Sequence, residues 1–170
     1  VKKNNCILLL GNGVNLTNHQ KDCAGMLKSI EGSTKQPIVT KDNPEPFSMM
    51  FDSLLFEKRR FGFEKNKLYK TKLAHHCKKM PTGKAHQDVL NLGYRCILTT
   101  NYDHGLQKAW LSDGLIENSP VRESKFNLFR RYFLDGAELW HIHGDCKVIN
   151  SLTIGFDDYV RQLCEIRAYY

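Results

Sequence analysis

Apolar runs that stop abruptly organise this chain. Cys6 to Leu10 is unbroken and ends at Gly11, Arg95 to Thr99 ends at Thr100-Asn101, and Glu138 to Ile142 leads into His143-Gly144. Short continuous runs bounded by turn residues read as strands buried on both faces, as in a parallel sheet. Between the first two, Phe47, Met50, Phe51, Leu54 and Leu55 recur at i, i+3, i+4, i+7 and i+8. They follow Asn43-Pro44, an N-cap with proline at the first helical position, and predict an amphipathic helix. A second, more basic helix is expected over about 64–79, closed by Pro81 and Gly83.

Weaker helical spacing over 14–31 places Val14, Cys23, Met26, Leu27 and Ile30 inward, and 32–43 reads as a loop. Asp103 to Leu111 is the helix fed by the second strand. Phe126 to Leu134 reads as a strand joined through the turn Asp135-Gly136 to the strand at Glu138, and Asp157 to Arg167 as a terminal helix. The expected architecture is α/β: a Rossmann-like parallel sheet with a helical insertion over about 32–92, in one domain spanning 1–170.

Composition narrows the class. No apolar stretch approaches the roughly 18 residues of a membrane-crossing helix, and the apolar run behind Lys2-Lys3 is too short for a secretory signal. A cytoplasmic protein without a membrane partner is expected. The six cysteines, at 6, 23, 77, 96, 146 and 164, contain no Cys-x-x-Cys pair, which disfavours a zinc ribbon or a redox motif and favours buried thiols. His75-His76-Cys77 suits a shared metal poorly, because adjacent helical residues diverge. No metal is expected.

The net charge of +7 is concentrated over 57–84, where ten Lys and Arg face Glu57 and Glu64. Such a stretch attracts anions. Phe61, Phe63 and Tyr69 do not form the repeated stacking pattern of a single-strand binder, so a solvated helix face is preferred and nucleic acid is disfavoured as a partner.

The candidate chemistry lies in the loops after the strands. In an open parallel sheet, ligands bind outside the carboxyl ends of the strands, so loops distant in sequence can share one crevice. Gly11-Asn12-Gly13 permits a tight turn and close approach of backbone to a pyrophosphate, although the third glycine of the dinucleotide fingerprint is replaced by Leu16. A plain turn is the alternative. Asn101 and Asp103 can bond a ribose, a carboxamide or a water, or Asp103 can cap the following helix. His141 and His143 are two apart on a strand-like segment and point the same way while the strand lasts, with Gly144 beside them. Either imidazole could serve as a general base or be a satisfied structural histidine.

Taken in order, Gly11-Asn12-Gly13, Thr99-Thr100-Asn101-Tyr102-Asp103, Trp140-His141-Ile142-His143-Gly144-Asp145 and Ile154-Gly155-Phe156-Asp157-Asp158-Tyr159 resemble the sirtuin-like family. They are most similar to its bacterial NAD hydrolases of antiphage defence. The resemblance covers about residues 5–163. It implies NAD as substrate, with Gly11, Asn12, Gly13 and Asn15 toward the phosphates and ribose. It also implies Asn101, with Thr100 beside it, holding the nicotinamide ribose and a water, and Asp103 orienting the carboxamide. His143 matches the catalytic histidine, with His141 supporting it and Gly144 adjoining.

The paired zinc cysteines of the deacetylases are absent, so hydrolysis or cyclisation of NAD is expected, without zinc. The family's domains continue through further strands, which implies an incomplete domain and an attached C-terminal domain or partner protein that regulates it. A homo-oligomer is compatible with this. A non-catalytic module sensing NAD or ADP-ribose and a nucleic-acid binder using 57–84 are the competing functions.

Overall fold

The structure, a computed structural model, describes residues 6–16, 23–31, 46–56, 62–112, 121–122, 130–134 and 136–169. Among these residues the sheet has five strands: β1 (Ile7–Leu10), β2 (Cys96–Thr99), β3 (Val121–Arg122), β4 (Arg130–Leu134) and β5 (Ala137–His141). They lie in the order β1-β2-β5-β4-β3. β1, β2 and β5 are parallel, as expected, whereas β4 and β3 are antiparallel, β4 forming with β5 the hairpin that the turn before Glu138 predicts. The antiparallel half follows from the tight β4–β5 connection. Leu134 pairs with Ala137, and Gly136 at φ 76° supplies the left-handed turn residue.

Register explains why distant loops meet. Leu10 pairs with Thr99, and Thr99 with His141, so the three parallel strands end on one row. Thr100 N–H donates to the Leu10 carbonyl at 3.0 Å and Ile142 N–H to that of Thr99 at 2.9 Å, which extends the ladder into the loops. Three loops leave the same sheet edge together.

Two expectations about these strands change. β1 is the outermost strand, and only alternate residues are covered: Leu8 and Leu10 pack against Ile97, Leu106, Tyr132 and Leu139, while Ile7 and Leu9 are each 64% exposed. It is not buried on both faces. β5 alternates, with Ala137, Leu139 and His141 all facing the core. The strand stops at His141, so His143 does not share its direction.

The helices are α1 (Gly13–Leu16), α2 (Cys23–Glu31), α3 (Phe47–Phe56), α4 (Gly62–Lys78), α5 (Lys84–Asn91), α6 (Gly105–Ser112) and α7 (Phe156–Tyr169), with a 3₁₀ turn at Ile149–Ser151. α3 buries Met50, Phe51 and Leu54, as its spacing predicts, against Met26, Leu27 and Ile30 of α2 and Leu73, Ala74 and Cys77 of α4. The inward stripe of α4 begins with Lys70, one turn before Leu73 and Ala74. This lysine is buried and donates to Asp158 of α7 at 2.6 Å and to the Leu152 carbonyl at 2.7 Å. The basic helix is therefore not solvated on every side.

α5, only eight residues long, is not among the elements that the sequence predicts. Its start is fixed by His86, whose Nδ1 accepts the Gly83 N–H at 3.2 Å. Residues 32–43, the Asn43-Pro44 cap, Asp135 and Phe126 to Phe129 lie outside the described residues. Among the described residues no helix is long and apolar enough to cross a membrane.

Candidate active site

The first loop is shaped by Asn15. It is fully buried, and its amide Nδ2 donates to Asn12 Oδ1 at 2.9 Å and to Asp103 Oδ2 at 2.7 Å. Its Oδ1 lies 3.0 Å from His86 Nε2. Because His86 Nδ1 already accepts from Gly83, its Nε2 carries the proton and donates to Asn15. Burial, opposed by the charge of Asp103, pushes the His86 pKa below its ordinary value, in keeping with a neutral ring. Asn15 thus clamps the first loop to the second. With every polar atom of its side chain engaged by protein, it is not placed to meet phosphates or ribose.

The second loop continues this network. Asp103 Oδ1 accepts the Gly105 N–H at 2.8 Å and opens α6, the capping role that the sequence allowed. Gly105 is required for packing: a Cβ there would stand 2.3 Å from His86 Nε2. Asn101 N–H donates to Thr99 Oγ1 at 3.1 Å, and its Nδ2 donates to the Gly11 carbonyl at 3.2 Å. Together with the Asn15–Asp103 bond, the bond to Gly11 ties the second loop to the first at two points.

The third loop turns sharply. Gly144 N–H bonds back to the His141 carbonyl at 3.3 Å, and Gly144 itself has φ 94°. A Cβ at Gly144 would lie 2.0 Å from the Ser151 carbonyl oxygen, so chain packing demands this glycine. His141 stays below the turn, 1% exposed. His143 emerges above it, half-buried, with Nδ1 3.4 Å from the Tyr159 hydroxyl of α7 and the two rings edge to face. Burial lowers its pKa, so the ring is neutral at physiological pH.

These loops enclose one cavity of ≈ 200 Å³. Asn12, Thr100, Asn101, Asp103 and His143 line it, as do Met26, Phe47, Cys77, Met80, Tyr102 and Tyr159. Five of the ten residues proposed from sequence therefore share a wall. Asn15 and His141 lie behind it, and Gly144 is buried in the turn that aims His143. Gly11 and Gly13 have no positive φ, and a Cβ would meet only Thr100 Oγ1 at 3.7 Å in one case and nothing within 4 Å in the other. Internal packing therefore does not account for glycine at those two positions. Gly13 opens α1.

No protein-family model and no curated protein matches this chain.

The apolar wall was invisible in the sequence, since Met26, Phe47 and Cys77 come from three helices, and Met80 from the segment after the third, whose packing no local pattern reveals. His86 had a signal in hindsight, a histidine at the third position of a helix behind Gly83. The His75-His76-Cys77 run splits: Cys77 faces the cavity, while His75 and His76 line a separate groove with Lys72 and Lys79.

Among the described residues, one group has metal-ligand chemistry, His104, Asp145 and Cys146, with ligand atoms within 4.8 Å of one another. Asp145 is bonded by His104 Nε2 at 2.8 Å, by the Tyr132 hydroxyl and by the Lys147 N–H at 2.7 Å. Burial raises its pKa, but these bonds and the nearby imidazoles outweigh that and hold it below the usual carboxylate range. Burial and the neighbouring Asp145 and Asp103 push the Cys146 thiol up to about 12, the opposite of what a thiolate ligand needs. The group reads as a hydrogen-bonded support under the third loop.

Proposed function

We propose that the cavity receives the nicotinamide riboside end of NAD and that the protein hydrolyses its glycosidic bond. The observation that carries the reading is the convergence of Asn101 and a neutral, half-buried His143 on one cavity with Asn12, Thr100 and Asp103. The cavity is smaller than the roughly 300–1,000 Å³ of sites that engulf a drug-sized ligand, so it suits one end of a dinucleotide. Its aromatic and thioether walls suit a flat ring, and its Asn and Asp edges suit a carboxamide and a ribose. Open space before Gly13, and only the Thr100 hydroxyl before Gly11, support approach of the phosphates to that loop.

The chemistry asked of these residues is modest. Nicotinamide leaves with the bonding pair as a neutral base, and positive charge spreads over the ribose C1′ and ring oxygen. Water adds at C1′ while its proton passes to His143 Nε2 or Nδ1 and then to solvent, giving ADP-ribose, nicotinamide and one proton. Asn101 contributes position, and a fixed geometry is itself a large part of such a rate enhancement. A neutral imidazole in place contributes typically about 10² to 10⁴-fold. By resemblance of its loops, the setting is antiphage defence.

The test is nicotinamide release from NAD by the full chain, with Asn101→Ala alongside. Release that collapses in the variant supports the reading. Calorimetric binding of NAD without release would select a sensing module. Equal release by both proteins would overturn the catalytic assignment.

A further inference from the structure

We infer that Gln107 and His141 are positioning residues that hold Asn101 in the cavity by fixing His141 in one tautomer. The inference deepens the function proposed above and rests on it for its kinetic consequence only. His141 Nδ1 lies 2.8 Å from the Asn101 carbonyl oxygen, a group that only accepts, so Nδ1 carries the proton. Its Nε2 lies 2.7 Å from Gln107 Nε2 and, being bare in the neutral ring, accepts from that amide. Gln107 on α6 thus sets the tautomer of His141 on β5, and His141 grips the backbone of Asn101. The side chain of Asn101, bonded through Nδ2 to the Gly11 carbonyl, lines the cavity.

Two features argue that this chain is more than core filling. Gln107 is 1% exposed and its Oε1 has no hydrogen-bond partner. A buried acceptor left unpaired is unfavourable, yet the amide is kept, and donation to His141 is what it does there. The opposite amide orientation would place an oxygen against a bare nitrogen, so the network itself selects this one. The second feature is location. Asn101 is the one residue joined to Gly11 by side chain, to Thr99 by N–H and to His141 by carbonyl. Slackness at the carbonyl moves the amide that faces substrate. Burial keeps His141 neutral, against the attraction of Asp145 and Asp103 and with the help of His104, while Tyr132 packs edge-on at 5.6 Å.

Three proteins test this by NMR of the histidine nitrogens and the Asn101 amides, and by kinetics. In the wild type, His141 should show a protonated Nδ1 and a bare Nε2. Gln107→Met removes the donor, so the Asn101 resonances should shift or broaden and kcat should fall on the order of 10²-fold. KM should change little and melting by only about 5 °C, since one bond is lost and one unpaired acceptor replaces another. Gln107→Glu offers only an acceptor to Nε2, so His141 should become an imidazolium that still donates to Asn101. Its Asn101 resonances should stay near wild type at pH 6 and depart as pH rises, a profile that simple destabilisation would not give.

A protonated Nε2 with a bare Nδ1 in the wild type would overturn the inference, as would Asn101 resonances untouched by Gln107→Met. If the wild type releases no nicotinamide, the kinetic arm fails with the proposed function alone. The tautomer and the Asn101 resonances still decide the positioning.

Discussion

Replacing Asn15 with alanine should break the joint between the first two loops. Three bonds disappear: to Asn12 at 2.9 Å, to the Asp103 carboxylate at 2.7 Å and to His86 at 3.0 Å. A neutral bond contributes about 0.5–1.5 kcal/mol net and one to a charged group about 1.5–3, and a buried group left unpaired loses a further 1–3. Water entering the gap recovers some of this, so about 3–5 kcal/mol is expected. That corresponds to a fall in melting temperature on the order of 10 °C for a chain of this size.

The assay is denaturant unfolding of both proteins with a shared m-value. Asn15→Asp is the informative companion. It keeps an acceptor for His86 but sets a second carboxylate against Asp103 in place of the donating amide, so at neutral pH it should destabilise at least as much as Asn15→Ala. A loss below about 1 kcal/mol for Asn15→Ala would refute the burial and bonding argued for this residue.

Other consequences are as specific. His143→Ala should lower nicotinamide release by about 10² to 10⁴-fold with little change in melting, since its side-chain bond to the Tyr159 hydroxyl is long at 3.4 Å. Gly144→Ala should unfold the third loop or the domain, because a left-handed φ and the Ser151 carbonyl at 2.0 Å both oppose a Cβ, and circular dichroism with thermal melts reads this directly. Lys70→Met should destabilise by about 2 kcal/mol in urea, because the buried Asp158 carboxylate loses one charged partner while keeping Arg161 and the Ile154 and Gly155 N–H groups, and adding Asp158→Asn should recover part of the loss.

Stability should also fall as pH drops below about 6.5. Burial holds His86, His141 and His143 below that ordinary value, so the unfolded chain takes up protons first. Below that, the depressed Asp145 adds a loss as pH falls under the ordinary carboxylate value of 3.8. A melting temperature flat from pH 7 to 5 would contradict the histidine contribution.

The strand ends were legible because an apolar run broken by Gly11, Thr100 or His143 has few other readings. The register that aligns Leu10, Thr99 and His141 followed from parallel pairing, and it brought the three loops together as expected. What the sequence could not convey was where each side chain faces once the strand stops. His141 and His143 look equivalent by spacing, yet one belongs to the core face of β5 and the other to the turn after it. Asn15 looked like a ligand because it sits in a glycine-rich loop. Its surroundings, His86 and Asp103, come from 71 and 88 residues away and make it a clamp. The apolar cavity wall depends on how α2, α3 and α4 pack, which is tertiary information, and the same holds for the outer position of β1 that leaves Ile7 and Leu9 exposed.

The central claim is that Asn101 and His143 form a site for water-driven cleavage of NAD. Mass spectrometry of the products formed in ¹⁸O-labelled water tests it most directly. Equal amounts of nicotinamide and ADP-ribose are expected from the wild type, with one labelled oxygen on the ribose, and at least about 10²-fold less of both from His143→Ala. Intact NAD after prolonged incubation, or the same labelled yield from both proteins, would contradict it.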